Sequence, residues 1–232
     1  MNELIEKSGT FLIDKPYRWT SFDVVAKIRS LCKQTLGERL KIGHAGTLDP
    51  LATGLLIICV GKDTKTIDKL SGLDKEYIAT INISGSTLSF DLEKPIDKKF
   101  DYEMVHCDQI QQVLLSFTGK QMQVPPSFSA KWVNGDRAYH MARQGIDPQL
   151  KANEINIYEL ELLRCELPEI EIRVKCSKGT YIRSLVRDIG LKLTGGAYLS
   201  ALRRTAIGPY SVDNAIKIEE FEEILKNIKI GK

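Results

Sequence analysis

One stretch of the chain concentrates groups from which chemistry could be built: Gly43-His44-Ala45-Gly46-Thr47-Leu48-Asp49-Pro50-Leu51-Ala52-Thr53-Gly54. Its glycines permit backbone dihedrals closed to other residues, and Asp49, standing before Pro50, is held away from the α region. Such a loop can present a carboxylate into a cleft. Asp-Pro is equally a turn initiator, and on the residues alone the chemical and the purely structural readings both stand.

Other reactive patterns fall away on spacing. Gly54 to Asp63 resembles a phosphate-binding loop only loosely, because Gly61-Lys62 is followed by Asp63 where Ser or Thr is needed, and there is no G-x-G-x-x-G. Ser30-x-x-Lys33 has the spacing of a Ser-Lys nucleophile, but it lies on an amphipathic helical pattern and reads as surface or capping chemistry. His44, His106 and His140 are too dispersed for a metal site. Cys32, Cys59, Cys107, Cys165 and Cys176 form no C-x-x-C pair and read as reduced, mostly buried thiols. Neither a metal nor a cofactor is expected.

The elements that must position these residues are mixed in type. Thr10 to Asp14 reads as a strand closed by Lys15-Pro16, followed by Ser21 as N-cap of a helix with Phe22, Val25, Ile28 and Leu31 on one face. Leu55 to Val60 and Tyr77 to Ser84 read as strands, the second alternating as a half-buried strand does. A helix is predicted from Gln109 to Phe117 with Asp108 as its cap. Pro125-Pro126 then breaks the pattern, and Ser127 to Gln149 reads as a protruding polar loop or small lid. Ile155 to Leu163 and Glu169 to Cys176 read as antiparallel strands about Pro168, with a helix from Thr180 to Leu193, a strand from Tyr198 to Ala206 and a last helix from Ile218 to Ile228. Strands and helices do not alternate strictly, so the class is α+β with a largely antiparallel sheet.

The 232 residues, 43% hydrophobic and 27% charged, have the composition of a soluble globular protein, which excludes a disordered, collagenous or disulfide-framework chain. The longest mainly apolar uncharged run, Leu51 to Gly61, is about half the ~20 residues of a membrane helix, and MNELIEKSG has no apolar core of a signal peptide. A cytoplasmic protein with no membrane partner is the expectation. Net charge is only +3, yet Ile170 to Thr205 holds eight Lys/Arg against two acids, leaving the remainder slightly acidic. Such a strip suits a polyanion laid along one face, with a solvated basic surface as the alternative.

GHAGTLDPLATGLL is similar to the catalytic motif of the TruB family of pseudouridine synthases, which isomerise a uridine in the tRNA T loop. Further blocks resemble the family in the same order: DKP at Asp14 to Pro16, KEYIA at Lys75 to Ala79, QVPPSFSAKWVNGDRAYHMARQG at Gln123 to Gly145, CSKGTYIRSLVRDIG at Cys176 to Gly190, and LSALRRTAIGPY at Leu199 to Tyr210. The resemblance covers roughly Phe11 to Tyr210.

The resemblance implies an α+β fold, a mixed and mainly antiparallel central sheet with flanking helices and a central RNA-binding cleft. It implies one catalytic domain over residues 1–232 with an RNA-gripping thumb at about 125–150, and no C-terminal domain of the PUA type in the 22 residues after Tyr210. Asp49 matches the essential aspartate, a nucleophile or a base that starts glycosidic cleavage. Arg183 matches the arginine that pairs with it and keeps the carboxylate charged. Tyr77 matches the tyrosine lying against the flipped uracil, His44 the histidine filling the space the base leaves, and Tyr181 and Leu202 the pocket walls. Lys15 would lie near the pocket and touch RNA phosphate. Lys131, Arg137 and Arg143 of the thumb suit phosphates, beside Phe128, Trp132 and Tyr139.

One departure concerns the region after Tyr77, where G-x-x-T-D-T-x-D is usual: Leu88 stands at the first acidic position, and only Asp91 is kept. The implied partner is the tRNA T arm, bound by a monomer needing neither guide RNA nor protein partner. A noncatalytic tRNA-folding protein that opens the elbow is the alternative; it would not require Asp49.

Overall fold

The computed structural model describes residues 8–37, 39–133 and 135–230. The leader-free reading of the N-terminus therefore falls mostly on residues 1–7, outside those described. The chain forms two compact units, residues 8–77 with 203–230 and residues 78–202.

In the first unit β1 (Ser8–Lys15) pairs antiparallel with residues 54–61 of β3 (Ala52–Gly61), from Ser8 opposite Gly61 to Lys15 opposite Gly54. Strand β2 (Ile42–Ala45) pairs with residues 57–60 of β3. β3 is a nearly unbroken apolar run because both of its faces are covered. Leu56, Ile58 and Val60 pack with Ile13, with Val24 and Ile28 of helix α1 (Ser21–Leu36), and with Phe221 and Leu225 of the C-terminal helix, residues 218–230. Leu55, Ile57 and Cys59 face Ala45, Leu70 and Ile207 on the other side.

Helix α1 begins one residue earlier than its sequence suggests. Thr20, not Ser21, is the N-cap, in a reciprocal capping box with Asp23. Ser21 is thereby released for another task, described below. After α2 (Ile67–Ser71), strand β4 (Lys75–Asn82) alternates strictly between buried and half-buried residues, which puts Lys75, Tyr77, Ala79 and Ile81 on the buried face.

The second unit opens with a small hairpin, β5 (Gly85–Thr87) and β6 (Ile96–Lys99), and then α3 (Cys107–Leu115), which packs on β10. Strand β7 (Gly119–Gln123) pairs with β10 (Asn153–Glu166), and β10 forms a hairpin with β11 (Glu169–Cys176). The segment read as a loop or lid folds as a two-residue ladder, β8 (Trp132–Val133) with β9 (Asp136–Arg137), and a short helix α4 (Ala138–Arg143). Helix α5 (Ile182–Leu193) turns Ile182, Leu185, Val186 and Ile189 inward, and β12 (Tyr198–Ile207) follows beside β4, ending in a turn to β13 (Tyr210–Ser211). The helix from residue 218 is α6 (Ile218–Ile230). The α+β class and the mainly antiparallel pairing are as the sequence indicated.

Two expectations need correction. Cys107 and Cys165 are joined in a disulfide, and only Cys32, Cys59 and Cys176 are buried free thiols. Burial pushes the Cys32 thiol up to about 11 and raises that of Cys59 as well, so both stay protonated and inert. The basic strip is also largely self-neutralised. Arg173 and Lys175 pair with Glu161 and Glu159 across the β10–β11 hairpin, Arg187 with Asp188, Arg203 with Asp14, and Arg183 with Asp91. Counting charge along a strand misses acids on the neighbouring strand.

Candidate active site

Asp49 lies half-buried in the loop between β2 and β3, and several backbone groups around it are held by side chains. Ser21 sits at the first position of α1, and its Oγ accepts from the Leu48 N–H at 2.8 Å while donating to the Leu48 carbonyl at 3.1 Å. The Lys15 ammonium, fully buried, donates to the carbonyls of Trp19 at 2.6 Å, Pro16 at 3.0 Å and Pro50 at 3.4 Å. The Arg18 N–H reaches the same Pro50 carbonyl at 2.8 Å, and the Ala52 N–H closes the turn on the Asp49 carbonyl at 3.1 Å.

Arg204, 1% exposed, supplies the other side. Its Nη2 donates to Gly46 O at 3.1 Å, its Nη1 to Thr47 O at 3.3 Å and its Nε to Leu55 O at 2.8 Å. Gly54 is required where β3 meets this strand: at φ +100°, a Cβ there would lie 2.3 Å from the Arg204 carbonyl oxygen. The loop is thus gripped through its carbonyls by two buried cations.

The electrostatics follow from this burial. Removal from water brings the Lys15 ammonium down to about 8; the Asp49 charge opposes that shift and the Arg204 charge adds to it. Burial, reinforced by Arg204 and opposed by a hydrogen bond to the Gly46 backbone, lowers the His44 pKa, so the imidazole is neutral at pH 7. Its Nδ1 is buried without a hydrogen-bond partner among the described residues. Tyr77 is buried on β4, two residues from Lys75, whose Cε lies 4.0 Å from where a Cβ on Gly46 would stand. Lys75 itself donates to the carbonyls of Ser71 and Leu73, both at 2.6 Å.

In the second unit Tyr181 and Arg183 stand at the start of α5. Arg183 and Asp91 are both 4% exposed, and Arg183 Nε stands 3.7 Å from Asp91 Oδ2 while Nη1 donates to Ser89 O at 3.3 Å. The Asp91 loop is closed by Thr87 and Ser89 hydroxyls donating to the Asp91 carbonyl at 2.7 and 3.1 Å. Leu88 is 63% exposed, so the acidic residue missing there is not one that the Asp91–Arg183 pair depends on. Tyr181, the N-cap position, is fixed by Gln123: its N–H donates to Gln123 Oε1 at 2.8 Å and its carbonyl accepts from Gln123 Nε2 at 3.1 Å. Leu202 is buried on β12.

The thumb cations are partly engaged. Arg137 stacks on Trp132 at 4.2 Å and donates to Ala130 O, and Arg143 lies over Tyr139 and pairs with Glu93 at 3.3 Å. Lys131 is half-buried, and Trp132 is 62% exposed. Lys15, expected at a phosphate, is instead sequestered on carbonyls. Arg204, Ser21 and Gln123 carry positioning roles that sequence reasoning missed. A signal for Arg204 was present: neighbours on a strand face opposite ways, so one of Arg203 and Arg204 had to point inward and find acceptors.

Known proteins can be set against this geometry. Residues 33–182 match the model of the TruB family pseudouridylate synthase N-terminal domain, and residues 183–229 that of the tRNA pseudouridylate synthase B C-terminal domain. The chain is 50% identical to tRNA pseudouridine synthase B of Phocaeicola vulgatus over 97% of its own length and 96% of the relative's, and 49% identical to that of Flavobacterium johnsoniae over 93% and 95%. Among solved structures, a chain of a Cbf5-Nop10-Gar1 complex aligns with TM-score 0.73 and 31% identity over 96% of this chain, which spans 56% of that one. With a carboxylate loop clamped as described and family models covering most of its length, the chain belongs to the TruB family of pseudouridylate synthases.

Proposed function

We propose that the protein is a tRNA pseudouridine synthase that acts in the cytoplasm on the T-loop uridine, alone and without a cofactor. The observation that carries this reading is the Asp49 loop, whose carbonyls are held by Lys15 and Arg204 so that the carboxylate is preset. The reaction breaks the bond from C1′ to N1, turns the uracil and joins C1′ to C5; the C5 proton leaves and N1 ends protonated. No electrons are exchanged and no atoms are added. Asp49 either attacks C1′ or removes a sugar proton to start cleavage, and in both routes a charged, oriented carboxylate is what the chemistry needs.

Arg183 would meet Asp49 in the RNA-bound site, Tyr77 would lie against the extruded base, and Tyr181 and Leu202 would enclose it. The neutral His44 ring suits a position beside an unstacked base. Lys131, Arg137 and Arg143 present donors to phosphates once their present partners are exchanged.

The test is turnover on an unmodified tRNA transcript. Purified protein should convert the T-loop uridine, and Asp49→Asn should reduce the rate by at least ~10³-fold while tRNA binding changes less than about threefold. Full conversion by the mutant would remove Asp49 from the chemistry, and no conversion by the wild type would remove the assignment.

A further inference from the structure

Five of the eight cations in the strip around Arg183 are paired with carboxylates, and a second concentration of positive charge lies on α1. A groove of about 600 Å³ runs along α1 and the following turn, lined by Ala26, Arg29, Ser30, Lys33, Arg39 and Leu40. Among the described residues that line it, three are cations and none is acidic. Among the described residues no carboxylate forms an ion pair with Arg29, Lys33 or Arg39; α1's one recorded bridge is Lys27 with Glu222. Arg29 is braced by donating to Ile42 O at 3.2 Å, which fixes one guanidinium at the groove. Ser30 and Lys33, whose spacing hinted at a nucleophile, are here simply a hydroxyl and an ammonium in one basic groove.

The groove has a rigid connection to the Asp49 loop. Ser21, at the start of α1, makes both hydrogen bonds to Leu48. Arg29 and Lys33 follow eight and twelve residues later on the same helix, roughly 12 and 18 Å along its axis. One strand of a nucleic-acid duplex presents roughly four or five phosphates over that distance. Guanidinium forks match phosphate oxygens in pairs, and the described lining residues offer no aromatic platform on which to stack bases.

We propose that this groove binds the phosphodiester backbone of the RNA substrate, beside the uridine being turned over and separately from the thumb. The assignment rests on the tRNA reading above. It makes the face of α1 the main electrostatic contact of the first unit with RNA. Binding there neutralises about two or three phosphates and releases their counterions.

The test measures binding of an unmodified tRNA transcript and of a T-arm hairpin between 50 and 300 mM KCl, for the wild type and for Lys33→Glu/Arg39→Glu. The variant should bind tRNA about tenfold more weakly at 100 mM KCl, and the slope of log K against log salt should be shallower by about 1–2. Unchanged affinity and slope would overturn the proposal, as would an equal loss of slope when Lys175 and Lys178 are neutralised instead. If charge reversal prevents folding, judged by circular dichroism, Lys33→Gln/Arg39→Gln answers the same question with a smaller slope change. Conversion by the wild type is scored in the same reactions: tight, salt-dependent binding without conversion would strike the enzymatic reading and leave the groove standing. Conversion with no slope change would do the reverse.

Discussion

At the level of single residues, the unexpected feature is that the two cations nearest the Asp49 loop act on its backbone. Arg204→Met would leave the carbonyls of Gly46, Thr47 and Leu55 without their donor, at roughly 1–3 kcal/mol each. The melting temperature should fall by on the order of 10 °C, and kcat should fall more steeply than KM rises, since the damage is to carboxylate placement. Arg204→Lys, which keeps the charge but not the fork, should lie between the two in both readouts. Lys15 gives a pH test. Its folded value of about 8 is below the 10.5 of the free side chain, so between those pH values the unfolded chain binds the extra proton and stability rises with pH. Relative to Lys15→Met, the wild type should therefore gain stability from pH 8 to pH 10.5, by up to about 3 kcal/mol, and gain nothing below pH 7. Paired thermal melts across that range check the sign; a relative loss would contradict it.

At the level of elements, α1 separates stability from catalysis at adjacent positions. Thr20→Ala removes the cap and should cost about 1 kcal/mol with kcat little changed. Ser21→Ala leaves the cap intact but cuts both bonds to Leu48, so it should lower kcat by more than its effect on melting accounts for. Steady-state kinetics beside thermal melts distinguish the two. Sequence periodicity placed this helix, β10, β11, α5 and β12 within a few residues, because each has a continuous apolar face. It misassigned the caps, since Thr20 and Ser21 are chemically alike and only the position of Leu48 decides between them. The ladder at 132–137 and the disulfide between Cys107 and Cys165 were invisible for different reasons: one is only two residues long on each side, and the other joins positions with no local link. Asp49 was legible through family resemblance, whereas Arg204, which holds its loop, and Gln123, which holds Tyr181, act through backbone contacts that leave almost no compositional trace.

For the whole molecule, the division of the chain matters more than its charge. Residues 78–202 form one unit from a single continuous stretch, while the other draws on both ends of the sequence. Ile218, Phe221 and Leu225 of α6 complete the core beneath α1 and β3, and burial of each is worth roughly 1.5–3 kcal/mol. A chain ending at Asn214 should therefore lose a large share of a total stability of about 5–15 kcal/mol. Hydrogen exchange should show amides of α1 and β3 deprotected first, and unchanged protection there would contradict the role given to α6. The Arg204 clamp adds a constraint in time. The loop it holds is translated 157 residues earlier, and at about 5–20 residues per second the ribosome needs some 8–30 s to deliver the arginine. Until then the loop has the bonds from Lys15, Arg18 and Ser21 but lacks those from Arg204 to Gly46 and Thr47, so the last support of Asp49 arrives long after the carboxylate itself.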